Sequence, residues 1–98
     1  MGTYTFITEY RKGVYIYQVQ ARTMLRAFRL WVDSFSHSCF IDTDDGNILR
    51  NDSKDSDLLP IKIEDTKNVW IWSTVIRRRV FTVHIIKTST RENSQNLC

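Results

Sequence analysis

Residues 23–35, TMLRAFRLWVDSF, form the one segment whose apolar residues recur with a helical period; the other patterned stretches alternate every second residue. At about 100° per residue, Met24, Leu25, Ala27, Phe28, Trp31, Val32 and Phe35 fall in one arc. Arg22, Arg26, Arg29 and Asp33 fall in the opposite arc, and only Leu30 lies off the pattern. Thr23 stands where its hydroxyl can cap the helix start. A single helix must therefore share one core with several strands.

Four stretches read as strands. TYTFITEY (3–10) and VYIYQVQA (14–21) flank RKG, and Gly13 is the residue expected to take the positive φ of a tight hairpin. NVWIWSTVIR (68–77) and VFTVHIIK (80–87) form a second hairpin with Arg77, Arg78 and Arg79 at the join. That join has no Gly or Asn, so a longer or bulged loop is expected. Between helix and second hairpin runs a polar, acidic connection, 36–60. Within it Asp45-Gly46 reads as a turn in a small hairpin between CFI and NIL. NDSKDSD (51–57) reads as its most mobile part, and a short strand is expected at Ile61 and Ile63, after Pro60. The reading is an α+β, two-layer fold in the order β-β-α-β-β: a four-stranded, mainly antiparallel sheet with one helix packed on one face. Residues 1–87 make a single domain and 88–98, TSTRENSQNLC, a flexible polar tail.

Ninety-eight residues are too few for two cores. No apolar run approaches the ~20 residues of a membrane-spanning helix. No charged-then-apolar leader opens the chain, and Glu9, Arg11 and Lys12 stand where its core would be. The expectation is a cytoplasmic protein without membrane contact. Cys39 and Cys98 are too few for a disulfide framework. Charge is segregated: 42–65 holds eight acids and three bases, which leaves +8 on the rest of a chain of net +3.

Both strand parities carry large apolar residues. Val69, Ile71 and Val75 oppose Trp70, Trp72 and Ile76; Val14 and Ile16 oppose Tyr15, Tyr17 and Val19. One helix of about three turns, ~20 Å long, cannot cover both faces of a sheet. Trp and Tyr favour binding hot spots, so Tyr15, Tyr17, Trp70 and Trp72 are the expected partner-binding surface, for another protein or a second copy in a homodimer. Alternatively the acidic connection folds back, with Phe40, Ile41, Ile48, Leu49, Leu58 and Leu59 covering the second face.

Other chemistries fit less well. Aromatic strands flanked by arginines can stack single-stranded bases, with Arg22, Arg26, Arg29, Arg77, Arg78 and Arg79 as the possible phosphate contacts. The chain lacks the second helix and glycine-aromatic motif of the RNA-recognition sheet. DTDDGN (42–47) opens like a calcium loop, but glycine stands fifth rather than sixth and Ser53 replaces the closing Glu. His37 and Cys39 with a distant His84 do not make a zinc ligand set, and nothing orients either histidine as a base for Cys39. No nucleophile elbow or phosphate-binding glycine loop is present. No cofactor and no catalysis are expected.

The β-β-α opening, with YTFITEYRKGVYIYQV before the helix, is similar in outline to bacterial antitoxin domains of the HicB type over residues 4–35. The proline-glycine turn of that outline is absent and no motif residue carries over, so the resemblance implies element order alone. The expectation is a small non-enzymatic protein-binding module (inhibitor, immunity or antitoxin-like) that acts by occlusion. The acidic connection would complement a basic target. The alternative is single-stranded nucleic-acid binding through the same aromatic face plus the arginines.

Overall fold

Two hairpins meet in the middle of one sheet. The computed structural model describes residues 2–34, 43–55 and 57–89. Its elements are β1 (Gly2–Tyr10), β2 (Gly13–Ala21), α1 (Met24–Asp33), α2 (Thr43–Ser53), β3 (Ile61–Lys62), β4 (Val69–Ile76) and β5 (Arg79–Ser89). All neighbouring strands pair antiparallel, in the order β2-β1-β5-β4-β3. The α+β class and antiparallel sheet are those expected. The counts differ: among the described residues there are five strands and two helices in place of four and one. β5 also runs past Lys87, the expected end of the ordered domain, with Thr88 paired to Thr3 and Ser89 to Gly2.

The first hairpin is tight, as expected, and the second closes more tightly than the longer or bulged loop expected for it. Tyr10 pairs with Gly13 across Arg11 (φ 53°) and Lys12 (φ 64°); Ile76 pairs with Arg79 across Arg77 (φ 49°) and Arg78 (φ 70°). Two-residue turns with both φ values positive match the right-handed twist of the strands they join. Glycine usually fills such positions because side chains there cost roughly 1 kcal/mol or more. Here Gly13 does not take the positive φ; a Cβ on it would meet the Tyr15 ring. Long, well-registered strands on both sides hold the cationic turn residues in this backbone region.

The helix expected over 23–35 is described over 24–33, with Arg26 N donating to Thr23 Oγ1 at 3.1 Å and Ala27, Phe28, Trp31 and Val32 buried; Leu25, placed in the same arc, is exposed instead, and Phe35 lies outside the described residues. The second helix replaces the hairpin expected around Asp45-Gly46. Asp44 and Asp45 lie in its first turn, where negative charge favours the helix dipole. Asp45, Gly46, Leu49 and Ser53 recur along its buried side. Tertiary burial of Leu49 thus overrides the local turn preference of Asp-Gly. Residues 51–53 of NDSKDSD belong to this helix, and Thr74 Oγ1 donates to Asp52 Oδ2 at 2.8 Å, tying it to β4.

Both helices lie on one face of the sheet. Tyr4, Phe6, Thr8 and Tyr10 of β1, Trp72 and Ile76 of β4, and Phe81, Val83 and Ile85 of β5 form that face and are buried. The Trp31 ring stacks on Phe6 at 4.9 Å and meets Trp72 edge-on at 6.3 Å; Phe28 meets Trp72 at 5.1 Å. Aromatic pairs of this geometry add about 0.5–1.5 kcal/mol each beyond their buried area. Among the described residues, no helix is long and apolar enough to cross a membrane.

Candidate functional site

The strand register assigns every side chain to a face. Opposite the helices, five strands contribute one transverse row: Ile61, Ile71, His84, Ile7 and Ile16, in the spatial order β3-β4-β5-β1-β2. Flanking rows add Val69, Ile86, Thr5 and Gln18 on one side and Ser73, Thr82, Glu9 and Val14 on the other. Val75 and Val80 pair at the hairpin end. No described element packs over these rows: Val14, Ile16, Val75 and Val80 are between 61% and 67% exposed, and Ile61 70%. Glu9 is the only formally charged residue among the described strand residues of this face, and His84 sits at its centre. A row of isoleucines across the whole sheet, broken only by His84, with exposed valines at the hairpin end, is the kind of patch that marks an interaction surface.

This is the opposite face from the one the aromatic residues suggested. Trp70, Trp72, Tyr15 and Tyr17 all project to the helix side. Trp72 is 2% exposed and its Nε1 donates to the Leu58 carbonyl. Trp70 is half-buried, 6.2 Å from the Tyr4 ring, and Tyr15 is half-buried on the β2 edge. Only Tyr17 is exposed. Trp72 is therefore a core residue and Trp70 packs against the core, because a helix layer gains most by covering the face with the largest apolar payload, while Tyr17 stays open on that same side. The acidic connection does fold back, as the alternative held, but Leu49, Ile48 and Leu58 join the core on the helix side and leave the aliphatic face uncovered. Phe40 and Ile41, like His37 and Cys39, lie outside the described residues, as do Cys98 and the tail from residue 90.

The arginines separate into two groups. Arg22, Arg26 and Arg29 are exposed along or beside α1. Arg77 is tied down at the other end of the molecule, with Nε 3.1 Å from Asp45 Oδ1 and Nη2 3.7 Å from Asp44 Oδ2. Arg11 from the other hairpin turn reaches the same carboxylate, Nη2 to Oδ2 at 3.5 Å. The Tyr10 hydroxyl donates to Asp45 Oδ2 at 2.7 Å. Asp45, 1% exposed, thus joins both hairpin turns to the start of α2. Its Asp-Gly context marked it as a turn residue, and no local sequence signal identifies it as a clamp. Beside it Lys12, Arg78 and Arg79 are exposed, and among the described residues none has a carboxylate partner.

Burial raises the Tyr10 hydroxyl pKa above its usual value, and the hydrogen bond to Asp45 and its negative charge raise it further, against a smaller opposing effect of Arg11. Burial raises Tyr4 as well. A folded-state pKa above the unfolded one means the native protein holds these protons more tightly. The stability linked to these two protons is fully present below about pH 10, the ordinary tyrosine value, and is lost as pH rises through the folded-state range. Urea midpoints measured from neutral to alkaline pH are expected to drop above that value, and Tyr10→Phe is expected to remove part of the drop. Equal slopes in both proteins would show that Tyr10 is not a source of it.

Comparison with models of protein families, with curated proteins and with solved structures finds no match to this chain.

Proposed function

We propose that this chain is a small non-enzymatic protein-binding module that acts by occlusion through its open aliphatic sheet face. The observation that carries the reading is the row Ile61–Ile71–His84–Ile7–Ile16 with its flanking valines, solvent-facing and nearly free of charge. A sheet with both helices on one side and nothing described over the other supports a role as half of a sandwich completed by another polypeptide. An inhibitor, immunity or antitoxin-like protein works in this way, by covering a surface of its target. The acidic connection is a weaker contributor than its charge suggests, because Asp45 and Asp52 are engaged internally.

A photo-crosslinking residue placed at Ile16 or Ile71 and illuminated in the producing cell is expected to yield a defined protein adduct, with none from the same residue at Arg26. Adducts only from positions such as Arg26 or Arg78, with nothing from the sheet face, would sink the reading.

The nucleic-acid alternative keeps one supporting observation: Lys12, Arg78 and Arg79 stand exposed together at the hairpin end. Its stacking surface is reduced, since Trp72 is buried and Trp70 half-buried. Titration of a labelled single-stranded oligonucleotide at two salt concentrations separates the readings, because each neutralised phosphate contributes a log–log slope of about −0.7.

A further inference from the structure

We infer that the occupant of the open face is a second copy of this chain, and that protonation of His84 releases it. The inference rests on the reading of that face as a protein-binding surface. Three features of the face select a second copy. The first is symmetry. β5 is the central strand, and the row across it reads Ile, Ile, His, Ile, Ile. A two-fold axis parallel to β5 and passing over His84 lays this row on its own reverse. Ile7 then meets the second copy's Ile71, Ile16 meets Ile61, and the two His84 rings face each other. The same axis keeps the Val75–Val80 end over its equivalent and the Thr3–Thr88 end over its own. Self-complementarity of this kind is what an isologous interface requires.

The second feature is charge. With Glu9 its single formal charge, the face offers no electrostatic handle for a strongly charged partner and creates little repulsion against itself. The third is size. Under this axis β1, β5 and β4 lie over β4, β5 and β1 of the second copy, while β2 meets only the two-residue β3; three strands about 4.8 Å apart and some eight residues long present roughly 400 Å² in projection. Side-chain relief raises the accessible area toward the ~800 Å² per partner of a standard interface.

His84 then sits at the centre of an apolar, desolvated contact. Its neighbours on the face are Ile7 of β1, Ile71 of β4, and Thr82 and Ile86 of its own strand. Glu9, diagonal to it on β1, is the only other titratable group on the described strands of this face; β2, β3 and β4 bring none. In the paired state the second copy adds its own His84 opposite and its Glu9 over Ser73. Two imidazoles can share that position when neutral. Two imidazolium ions bring like charges together without water, so protons favour the separated chains.

The test is the mass of the full chain by light scattering on a sizing column at about pH 8 and about pH 5.5, either side of the ordinary histidine value, at one ionic strength. Near-ultraviolet circular dichroism verifies that tertiary structure persists at both. The expected result is twice 11.6 kDa at the higher pH. If both imidazoles must be neutral, the dimer loses mass toward the monomer at the lower pH. His84→Leu is expected to stay dimeric at both, and Ile16→Glu, at an exposed position, to be a folded monomer at both. A monomeric wild type at the higher pH overturns the inference, as does a dimeric Ile16→Glu or a His84→Leu protein with unchanged pH response. Crosslinking separates the two failures. A monomer whose Ile16 position captures a different protein overturns self-pairing and leaves the binding surface standing. A monomer with no capture at Ile16 or Ile71 sinks both.

Discussion

Replacing Trp72 by alanine is expected to destabilise the fold by about 3–5 kcal/mol, the usual cost of removing a fully buried aromatic ring. Trp72 touches both layers: Phe28 and Trp31 of α1 lie against its ring, Phe81 of β5 lies 6.1 Å away, and its Nε1 holds the Leu58 carbonyl ahead of β3. Truncation leaves a cavity among residues that are themselves nearly inaccessible and leaves the half-buried Leu58 carbonyl without this donor. For a domain of this size the loss takes up a large share of the total stability. Trp72→Phe, which keeps much of the volume and loses only the donor, is expected to cost about half as much. Urea denaturation followed by far-ultraviolet circular dichroism checks both. A Trp72→Ala protein within 1 kcal/mol of wild type, on the order of a surface substitution, would contradict the placement of this ring in the core.

Asp45→Ala is expected to cost about 2–4 kcal/mol. Loss of the carboxylate leaves the buried Tyr10 hydroxyl without its acceptor, worth about 1–3 kcal/mol. It also removes a favourable charge from the first turn of α2, worth about 0.3–1 kcal/mol. The ion pairs to Arg11 and Arg77 add less, since both guanidinium groups are about half exposed and screened by water. Asp45→Asn, which still accepts from Tyr10, is expected to recover about half of the loss. A double-mutant cycle with Tyr10→Phe isolates the shared hydrogen bond, with an expected coupling of about 1–2 kcal/mol. Strictly additive effects would show that the two residues act apart.

Much of the fold is legible in the residues, and the misreadings have identifiable causes. The period of 23–35 and the alternation of the four strand segments give α1, β1, β2, β4, β5 and the side of the sheet each residue occupies. Parity cannot say which side the helices choose. Counting apolar volume decides it: one parity brings Tyr4, Phe6, Tyr10, Trp70, Trp72 and Phe81, the other mainly Ile and Val. A single helix layer stabilises more by covering rings that bury 150–250 Å² each. Preference of aromatics for hot spots points the other way and loses to that arithmetic. α2 was hidden because Asp44, Asp45 and Gly46 favour turns locally. Its formation depends on Leu49 reaching the core and on Asp45 meeting Arg11 and Arg77 from hairpins far away in sequence. The tight second turn is obscured for the same reason: Arg77 is held in a left-handed backbone partly by partners that no local rule can see.

The central position of β5 has a consequence for how the chain comes together. Each hairpin closes over a two-residue turn, an event of microseconds. The seam between them joins Gly2 to Ser89 and must close a loop spanning most of the sequence, an entropic cost met only once many contacts form together. During synthesis, at about 5–20 residues per second, β1 waits several seconds with its inner edge open before β5 emerges to fill it. Assembly of the seam, rather than formation of either hairpin, is thus the slow step, and the interval before it is when this sequence is most exposed to mispairing.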